Sequence, residues 1–473
     1  MGMPAPKPAR RAPRLAKSTR KRRAVARASV VGKVTVTVPA ETPIDDVVDV
    51  VSRLIRFDTT NTGELETTKG EAECAHWVAA QLEDVGYQVE YLESGAPGRG
   101  NVFARLKGAD SSRGALLIHG HLDVVPAEPA EWSVHPFSGA IEDGYVWGRG
   151  AVDMKDMVGM MIVIARHFRR SGIVPPRDLV FAFVADEENG GKYGSQWLVD
   201  NRPDLFEGIT EAIGEVGGFS ATIGGRRLYL IQAAEKGMAW LRLIARGTAG
   251  HGSMLQPDNA VTEVAEAVAR IGRHEWPVRL TPAAQGFVEE AAAAMGIEFS
   301  QSEYRDFLAK LGPLSRLIGA TLTNTANPTM LSAGYKVNVV PQVATAQVDG
   351  RFLPGHEEEF FAELDGLLGP EVQREFVHHD IAVETTLDGE LAAAMTAALL
   401  DQDPDGRVVP YCLSGGTDAK SFTRLGIRCF GFAPLRLPAD LDFAGMFHGV
   451  DERVPVDALR FGVRVLDKFL DLC

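Results

Sequence analysis

The pattern of hydrophobic and polar positions along the chain alternates between buried strands and amphipathic helices. Continuous apolar runs, such as Leu116–Ile118 and Leu179–Ala185, are typical of strands that are buried on both faces. Further strands are predicted at 88–92 and 102–106, and helices from Glu41, over 71–85 and over 157–168. Because these strands alternate with helices, the pattern predicts a doubly wound, mixed-sheet α/β domain.

A second pattern begins near Lys236. Its predicted strands are 238–245, 329–333, 343–352 and a closing strand near 381–385, with helices at 259–272 and 357–368. An Ala-rich stretch, 277–328, interrupts this order and is predicted to be a helical insertion. A helix at 391–400, a short strand at 408–409 and a terminal helix at 455–472 return to the first pattern. We therefore predict one domain over 41–235 and 388–473, into which a small α+β, ferredoxin-like domain over 236–387 is inserted.

Composition and charge narrow the classes of function. The chain has 473 residues and a net charge of -14, but residues 1–40 hold eleven Lys or Arg and no acid. The remainder carries 38 basic and 63 acidic residues, and so acidic a body argues against nucleic acid as the main partner. Residues 1–40 are predicted to be a disordered basic arm. An overlong start, a solvated tail and a polyanion-binding arm stay open as its explanation.

Two further features of the sequence bear on the cellular location of the protein. No run of about 18 apolar residues occurs, so no membrane span is predicted. The four cysteines, Cys74, Cys412, Cys429 and Cys473, are scattered, and no pair has CxxC spacing. A cytoplasmic location fits this use of cysteine best.

One candidate chemical site follows the first buried strand. His121 and Asp123 lie two residues apart at its end, so on an extended backbone they face the same way. A carboxylate behind a metal-binding imidazole fixes the tautomer of the ring. Asp153 follows a glycine-rich turn at 148–150 that can return its carboxylate to the side of this strand. A lone HxD motif is common, so this stretch needs support from the rest of the chain.

That support comes from residues that follow other strand ends or lie in loops. With His121 and Asp153 they make six candidate ligand or base positions, the others being Glu187, Glu188, Glu215 and His448. An adjacent pair of glutamates is often only a surface feature, but here one could bind a metal while its neighbour acts as a general base. Two histidines and three carboxylates, one of them bridging, are sufficient for a dinuclear zinc site.

Eight stretches in this order carry a resemblance to a known family. They are HGHLDVVP, GRGAVDMK, ADEENGG, GEVGG, GTAGHGSM, YKVNVVP, SGGTDAKSF and FHGVDE. From about residue 40 to its end the chain resembles the co-catalytic zinc metallopeptidases that include aminoacylase, glutamate carboxypeptidase, carboxypeptidase S and succinyl-diaminopimelate desuccinylase. The 277–328 insertion resembles the longer, carboxypeptidase S-like members and leaves the mouth of the substrate pocket open to question.

The resemblance implies a role for each matching residue. Two Zn²⁺ ions per subunit are expected, with Co²⁺ or Mn²⁺ as alternatives. Asp153 would bridge the two metals, His121 and Glu215 would complete one site, and Glu188 and His448 the other. Asp123 would orient His121, Glu187 would be the general base, and His251 would stabilise the oxyanion in the partner subunit's active site. A substrate carboxylate would be held by Asn338, Arg351, Gly415, Gly416 and Thr417.

These implications define the expected function. We expect a cytoplasmic dizinc hydrolase that cleaves the amide bond of a dipeptide or an N-acyl amino acid with a free carboxylate, and that forms a homodimer through the small domain. A desuccinylase, deacetylase or carbamoyl-amide hydrolase is the alternative within the enzymes. A non-catalytic binding protein is the alternative outside them, although no ligand or base position has been lost.

Overall fold

The computed structural model describes residues 43–473, and the predicted basic arm, 1–40, lies outside the described residues. Twelve α-helices are assigned within this range: α1 Pro43–Ile55, α2 Ala72–Glu83, α3 Lys155–Ser171, α4 Ser195–Asn201, α5 Ala260–Arg273, α6 Pro282–Met295, α7 Tyr304–Lys310, α8 Ser315–Gly319, α9 Glu357–Leu368, α10 Gly389–Gln402, α11 Ala419–Thr423 and α12 Val456–Leu472. None of them has the length and apolar content that a crossing of the bilayer requires.

The same range contains nineteen strands, which form two main sheets and two small ones. They are β1 Val89–Glu93, β2 Gly100–Leu106, β3 Ala115–His121, β4 Ile141–Glu142, β5 Tyr145–Trp147, β6 Leu179–Val184, β7 Ile209–Gly214, β8 Phe219–Ile223, β9 Arg226–Glu235, β10 Gly237–Arg246, β11 Gly250–His251, β12 Thr325–Ala333, β13 Val339–Val340, β14 Val343–Phe352, β15 Val372–Asp380, β16 Val383–Glu384, β17 Arg407–Leu413, β18 Arg428–Gly431 and β19 Arg453–Pro455.

The large sheet is mixed and has helices on both faces. Its central order is β1-β2-β6-β3-β7-β18-β9-β16, with β8 and β17 also paired to β9. Strands β6, β3, β7 and β18 run parallel to one another. Along β3, Leu116 and Ile118 belong to one buried cluster and Leu117 to another, because successive side chains point to opposite faces. The sequence-based prediction of a doubly wound, mixed α/β sheet is therefore confirmed.

The small sheet is antiparallel and is covered on one face. Its order is β12-β14-β10-β15, and β14 alternates strictly between half-buried and buried residues. Leu241 and Leu243 of β10 pack with Ile271 of α5 and Phe360 and Leu364 of α9. Burying each such side chain contributes about 1.5–3 kcal/mol to folding. The observed order of elements is the predicted one, βα(insertion)ββαβ.

Two predictions for this region need correction. The closing strand of the small sheet is β15, whereas the stretch predicted for it, 381–385, contains only β16, which pairs with β9 of the large sheet. In the 277–328 insertion, Phe287 and Val288 of α6 lie in the core of the large sheet. The predicted range 236–387 therefore contains segments that pack with both sheets. Its division into a separate domain stays a prediction.

Candidate metal centre and active site

Two histidines face the two oxygens of one aspartate at the carboxyl ends of the central strands. His121 ends β3, and its Nε2 lies 3.0 Å from Asp153 Oδ1. His448, from the loop before β19, places its Nε2 3.3 Å from Asp153 Oδ2 and 3.1 Å from Glu188 Oε2. The Glu215 Oε2 atom lies 3.4 Å from His121 Nε2. Asp153 thus lies between two groups of potential ligands, as a bridging carboxylate must.

The protonation of His121 tests whether this cluster fits a cation. Its Nδ1 lies 3.0 Å from the backbone carbonyl oxygen of Asp123, which can only accept, so Nδ1 carries the proton of the neutral ring. The Nε2 lone pair then points at the carboxylate oxygens of Asp153 and Glu215. Only a cation or a second ring proton stabilises such an arrangement. The residues therefore fit a metal ion, and their nitrogen and oxygen donors suit zinc.

The carboxylates of the cluster are buried or half-buried and lie close together. Ligand atoms of His121, Glu187 and Glu215 lie within 4.8 Å of one another, as do those of His121, Asp153 and Glu188. Burial, followed by repulsion from Glu215, raises the pKa of Glu187 well above its ordinary value. Burial also raises the pKa of Glu215, to about 8. Cations bound among these side chains would relieve the repulsion that raises these pKa values.

Backbone geometry aims several of these side chains. Asp186, Val216 and His448 have φ values of 66°, 50° and 57°, in the left-handed region, which the β-branched Val216 avoids and which Asp and His tolerate better. Asp186 directly precedes Glu187, and Val216 directly follows Glu215. His448 is itself a candidate ligand. Such a conformation costs about 1–3 kcal/mol per residue and persists where the surrounding structure imposes it. The turns around the cluster are therefore specified by tertiary contacts.

Asp123 acts through different atoms from those that the sequence suggested. Its carboxylate Oδ1 lies 3.6 Å from His121 Nδ1, outside hydrogen-bonding distance, while its backbone oxygen accepts from that nitrogen at 3.0 Å. The carboxylate instead accepts the backbone N–H groups of Glu187 and Glu188, at 3.1 and 3.2 Å. Asp123 therefore orients the ring of His121 and also fixes the turn that carries both glutamates.

A buried polar network behind the cluster was not identified from the sequence. Asn61 donates from Nδ2 to Asp123 at 2.8 Å and to Asp186 at 2.9 Å. Arg99 pairs with Asp186 at 2.9 Å and with Glu71 at 2.6 Å. All five side chains are almost fully buried. Within the sequence, Asn61 had only the appearance of a polar loop residue, so nothing local connected it to Asp123.

A second unpredicted residue, Glu452, holds the loop that ends in Asp153. Its Oε1 accepts the backbone N–H groups of Val152 and Asp153, at 2.7 and 3.2 Å. Its Oε2 accepts the N–H of Gly150 and pairs with Arg149, at 3.1 and 2.7 Å. Glu452 is fully buried. It lies within the FHGVDE stretch, four residues after His448, and that proximity was the only local signal.

We predict that Glu452→Gln weakens metal binding without unfolding the protein. A glutamine amide would turn two N–H donors towards backbone N–H groups that now donate to a carboxylate, so the loop would shift Asp153. Metal affinity should fall by about 10–100-fold, as for other residues that support metal ligands. Competition with a chelator measures it. Glu390→Gln, at a side chain 90% exposed, is the control. Unchanged affinity in a natively folded Glu452→Gln variant would contradict this role.

The cluster opens into a cavity of about 730 Å³ that contains both polar and apolar groups. Arg351, Gly415, Gly416 and Thr417 line this cavity. Arg351 donates from Nε and Nη2 to Asp349, at 2.7 and 3.1 Å. Its Nη1 has no hydrogen-bond acceptor among the described residues.

Thr417 differs from the other predicted carboxylate-binding residues in the cavity. Its backbone N–H and its hydroxyl both donate to the buried Glu235, at 3.0 and 2.6 Å. Both donors of Thr417 are therefore already used within the protein. This leaves Arg351 Nη1 and the Gly415–Gly416 backbone as the predicted carboxylate-binding groups that line the cavity.

His251 and Asn338 lie apart from the cavity. His251 is in β11, which pairs with β13, and the backbone oxygen of Asn338 accepts from Gly252 N at 2.9 Å. Both residues are exposed, and neither lines the cavity. The backbone N–H of Ser253 donates to His251 Nδ1 at 3.2 Å. In the neutral ring the proton is therefore on Nε2, which makes that nitrogen a donor.

A doubly wound sheet whose strand ends gather two histidines around one aspartate provides the nitrogen and oxygen donors with which metal-dependent hydrolases hold their ions. The model of Peptidase family M20/M25/M40 matches residues 117–472, and the chain belongs to this family. The protein is therefore a metal-dependent hydrolase of the peptidase and amidohydrolase type, from a family with dinuclear metal sites.

Two curated relatives are similar over most of their length. "Probable carboxypeptidase S-like 2" of Dictyostelium discoideum is 26% identical over 380 residues, 74% of this chain and 70% of the relative. "N-fatty-acyl-amino acid synthase/hydrolase PM20D1" of Xenopus tropicalis is 26% identical over 384 residues, 76% of this chain and 72% of the relative.

Two solved structures show the same fold. An M20 family metallo-carboxypeptidase, Sso-CP2 from Sulfolobus solfataricus, has a TM-score of 0.67 at 19% identity, covering 91% of this chain and 99% of that one. The YXEP protein of Bacillus subtilis, a dinuclear metal binding peptidase from the M20 family, has a TM-score of 0.58 at 13% identity, covering 91% and 98%.

Proposed function

We propose that the protein hydrolyses the amide bond of N-acyl amino acids that have a free carboxylate and an apolar acyl group. The observation that carries this proposal is the position of Asp153, whose two oxygens face His121 and His448 at 3.0 and 3.3 Å. Arg351 and apolar side chains line the adjoining cavity. An N-acyl amino acid presents an amide between a carboxylate and an apolar chain, and so matches these three features.

Five residues would hold two zinc ions in this proposal. His121 and Glu215 belong to one site, Glu188 and His448 to the other, and Asp153 to both. The two ions would supply Lewis acidity towards the scissile carbonyl and make water a better nucleophile at neutral pH. Cobalt or manganese could serve in place of zinc, because the same donor atoms bind those ions.

Glu187 is the proposed general base and acid. Its Oε2 lies at the cluster, 4.0 Å from His121 Nε2. Glu187 is not one of the five residues proposed to hold the metal ions. Its carboxylate would take a proton from the attacking water and return it to the nitrogen of the leaving amino acid. The backbone N–H of Glu187 is fixed by Asp123, so its side chain starts from a defined position.

Substrate orientation would come from the two halves of the cavity. Arg351 Nη1 and the Gly415–Gly416 backbone are the proposed partners of the substrate carboxylate. Met238, Trp240, Leu317 and Phe447 offer apolar surface for the acyl group. Leu317 belongs to α8 of the insertion, so this segment, which was expected to affect the pocket mouth, contributes directly to its lining.

A homodimer that completes the active site is part of the same proposal. His251 and Asn338 lie in a region with exposed apolar side chains: Met254, Leu255, Met330, Leu331, Tyr335 and Val337. Strand β12, which carries two of them, is an edge strand of the small sheet. Exposed edges and apolar patches of this kind favour association. The second copy's His251 and Asn338 would then reach the cavity that they do not reach within one chain.

A cytoplasmic location is also proposed. All four cysteines are buried free thiols, so the described part of the chain does not depend on disulfides for stability. A reducing compartment is compatible with that usage.

A panel of matched substrates tests the proposed reaction. The zinc-loaded protein should hydrolyse N-acetyl, N-octanoyl and N-oleoyl phenylalanine, with kcat/KM rising as the acyl chain lengthens. The methyl ester of each substrate is the matched control and should be cleaved at least about 100-fold less efficiently, because the charged contact with Arg351 is lost. Protein stripped with a chelator should be inactive until zinc is restored. Preferential cleavage of N-succinyl-diaminopimelate or dipeptides, or equal cleavage of acid and ester, would contradict this substrate class.

A further inference from the structure

A second cavity, of about 670 Å³, has a strongly cationic lining and is separate from the active site. Arg227, Arg436, Arg460 and Arg464 line it, and the lining contains one carboxylate, Asp457. No residue lines both this cavity and the one that contains Glu187. Four arginines around one cavity are unexpected in this protein, because beyond residue 40 it has 38 basic and 63 acidic residues.

The charges of these arginines are only partly compensated by the protein. Arg227 pairs with Asp403, whose Oδ1 lies 2.7 Å from Nη2. Arg464 donates from Nε to the neutral Gln402 at 3.1 Å. Arg436 has no ion pair and no side-chain hydrogen bond with any described residue. Arg436 and Arg464 therefore line the cavity without a carboxylate within ion-pair distance among the described residues.

Arg460 is nearly as poorly compensated. Its Nη1 lies 3.4 Å from Asp457, a side chain that is 95% exposed, and an exposed pair of this kind contributes little. Its Nε is buried and has no acceptor among the described residues. The Arg460 side chain is otherwise 41% exposed, so its terminal guanidinium nitrogens offer donors to an anion in the cavity.

We propose that this cavity is a binding site for a small anion with a phosphate group. Guanidinium groups bind phosphate oxygens through two parallel hydrogen bonds, and several of them around one anion give strong attraction. The first turn of α12 borders the cavity, and a helix N-terminus adds positive potential. Leu437 and Phe461 also line the cavity, and they offer apolar contacts to an organic group attached to the phosphate.

Calorimetric titration of the metal-loaded protein with inorganic phosphate and with glycerol 3-phosphate tests this site. Replacing both Arg436 and Arg460 with Gln should weaken binding by at least about tenfold, since two charged contacts are lost. Replacing both with Lys should lie between, because the charge remains but the fork does not. Arg305→Gln, at a side chain 65% exposed, is the control and should bind as the parent protein does. Phosphate bound at the metals contributes equally to all variants.

The result that overturns the proposal is a set of identical isotherms for the parent and the double Gln variant. Binding of poly-glutamate alone, with neither small phosphate bound, would also overturn it and indicate a surface for an acidic protein. Where phosphate binds and the double variant loses it, the comparison of the two probes gives the source. Tighter binding of glycerol 3-phosphate indicates an organic phosphate, and equal binding indicates inorganic phosphate.

Discussion

Glu187→Gln is expected to lower kcat by about 10²–10⁴-fold while both metals remain bound. Glutamine keeps the size of the side chain but cannot accept a proton at neutral pH. The five proposed ligands are untouched, and the backbone N–H of residue 187 still donates to Asp123. Metal analysis of the purified variant, together with steady-state kinetics on an N-acyl amino acid, measures the two effects separately.

The neighbouring variant, Glu188→Gln, is the matched control for that experiment. Glu188 Oε2 lies 3.1 Å from His448 Nε2, so its loss should weaken one metal site and lower the metal content. The two glutamates are of the same residue type and are similarly buried. A difference between the two variants therefore reports on the role of each position. If Glu187→Gln lost metal and Glu188→Gln kept it, the two roles would have been assigned in reverse.

His251→Ala is expected to lower kcat by about 10²–10³-fold, the range for the loss of one oxyanion donor. The Nε2–H of the neutral ring is available to donate, because Ser253 N–H donates to Nδ1. The metal content should not change, since His251 lies outside the cavity of its own chain. The control is His274→Ala, which removes the imidazole directly after α5. This variant should keep kcat near the parent value.

Mixing two inactive proteins tests whether His251 acts across the dimer. In a heterodimer of His251→Ala and Glu187→Gln, one active site receives both defects and the other neither. Random exchange of subunits should therefore restore about a quarter of the parent activity, because half of the dimers are mixed and each has one intact site. If mass spectrometry showed mixed dimers and activity did not return, His251 would act within its own subunit or not at all.

Local sequence carried much of the fold but not its long-range packing. The helical period over 357–368 and the strict alternation over 343–352 predicted the bounds that α9 and β14 have in the structure. The closing strand was misplaced, because both β15 and the 381–385 stretch contain apolar residues suited to a strand. The partner of α6 could not be predicted either, since an apolar helix face is compatible with either sheet.

The sequence by itself determined which chemical groups the site would contain. His121, Glu188 and Glu215 are donors of the types that divalent metals bind, and they lie at or just after strand ends, which local periodicity reveals. Their approach to one another follows from a parallel sheet, whose strands end at the same edge. For this reason the four strand-end positions could be named before any distance was known, whereas Asp153 and His448 were predicted from a glycine-rich turn and a loop.

Only the tertiary structure decided how those groups are held. The backbone carbonyl of Asp123, rather than its carboxylate, sets the tautomer of His121. Asn61 contacts Asp123, which is 62 residues away in the chain. Glu452 contacts Asp153, which is 299 residues away. Thr417 donates to Glu235, and the four arginines of the second cavity come from three segments of the chain. Apart from the contact between His121 and Asp123, these arrangements join segments that lie far apart in the chain, so their geometry depends on tertiary packing.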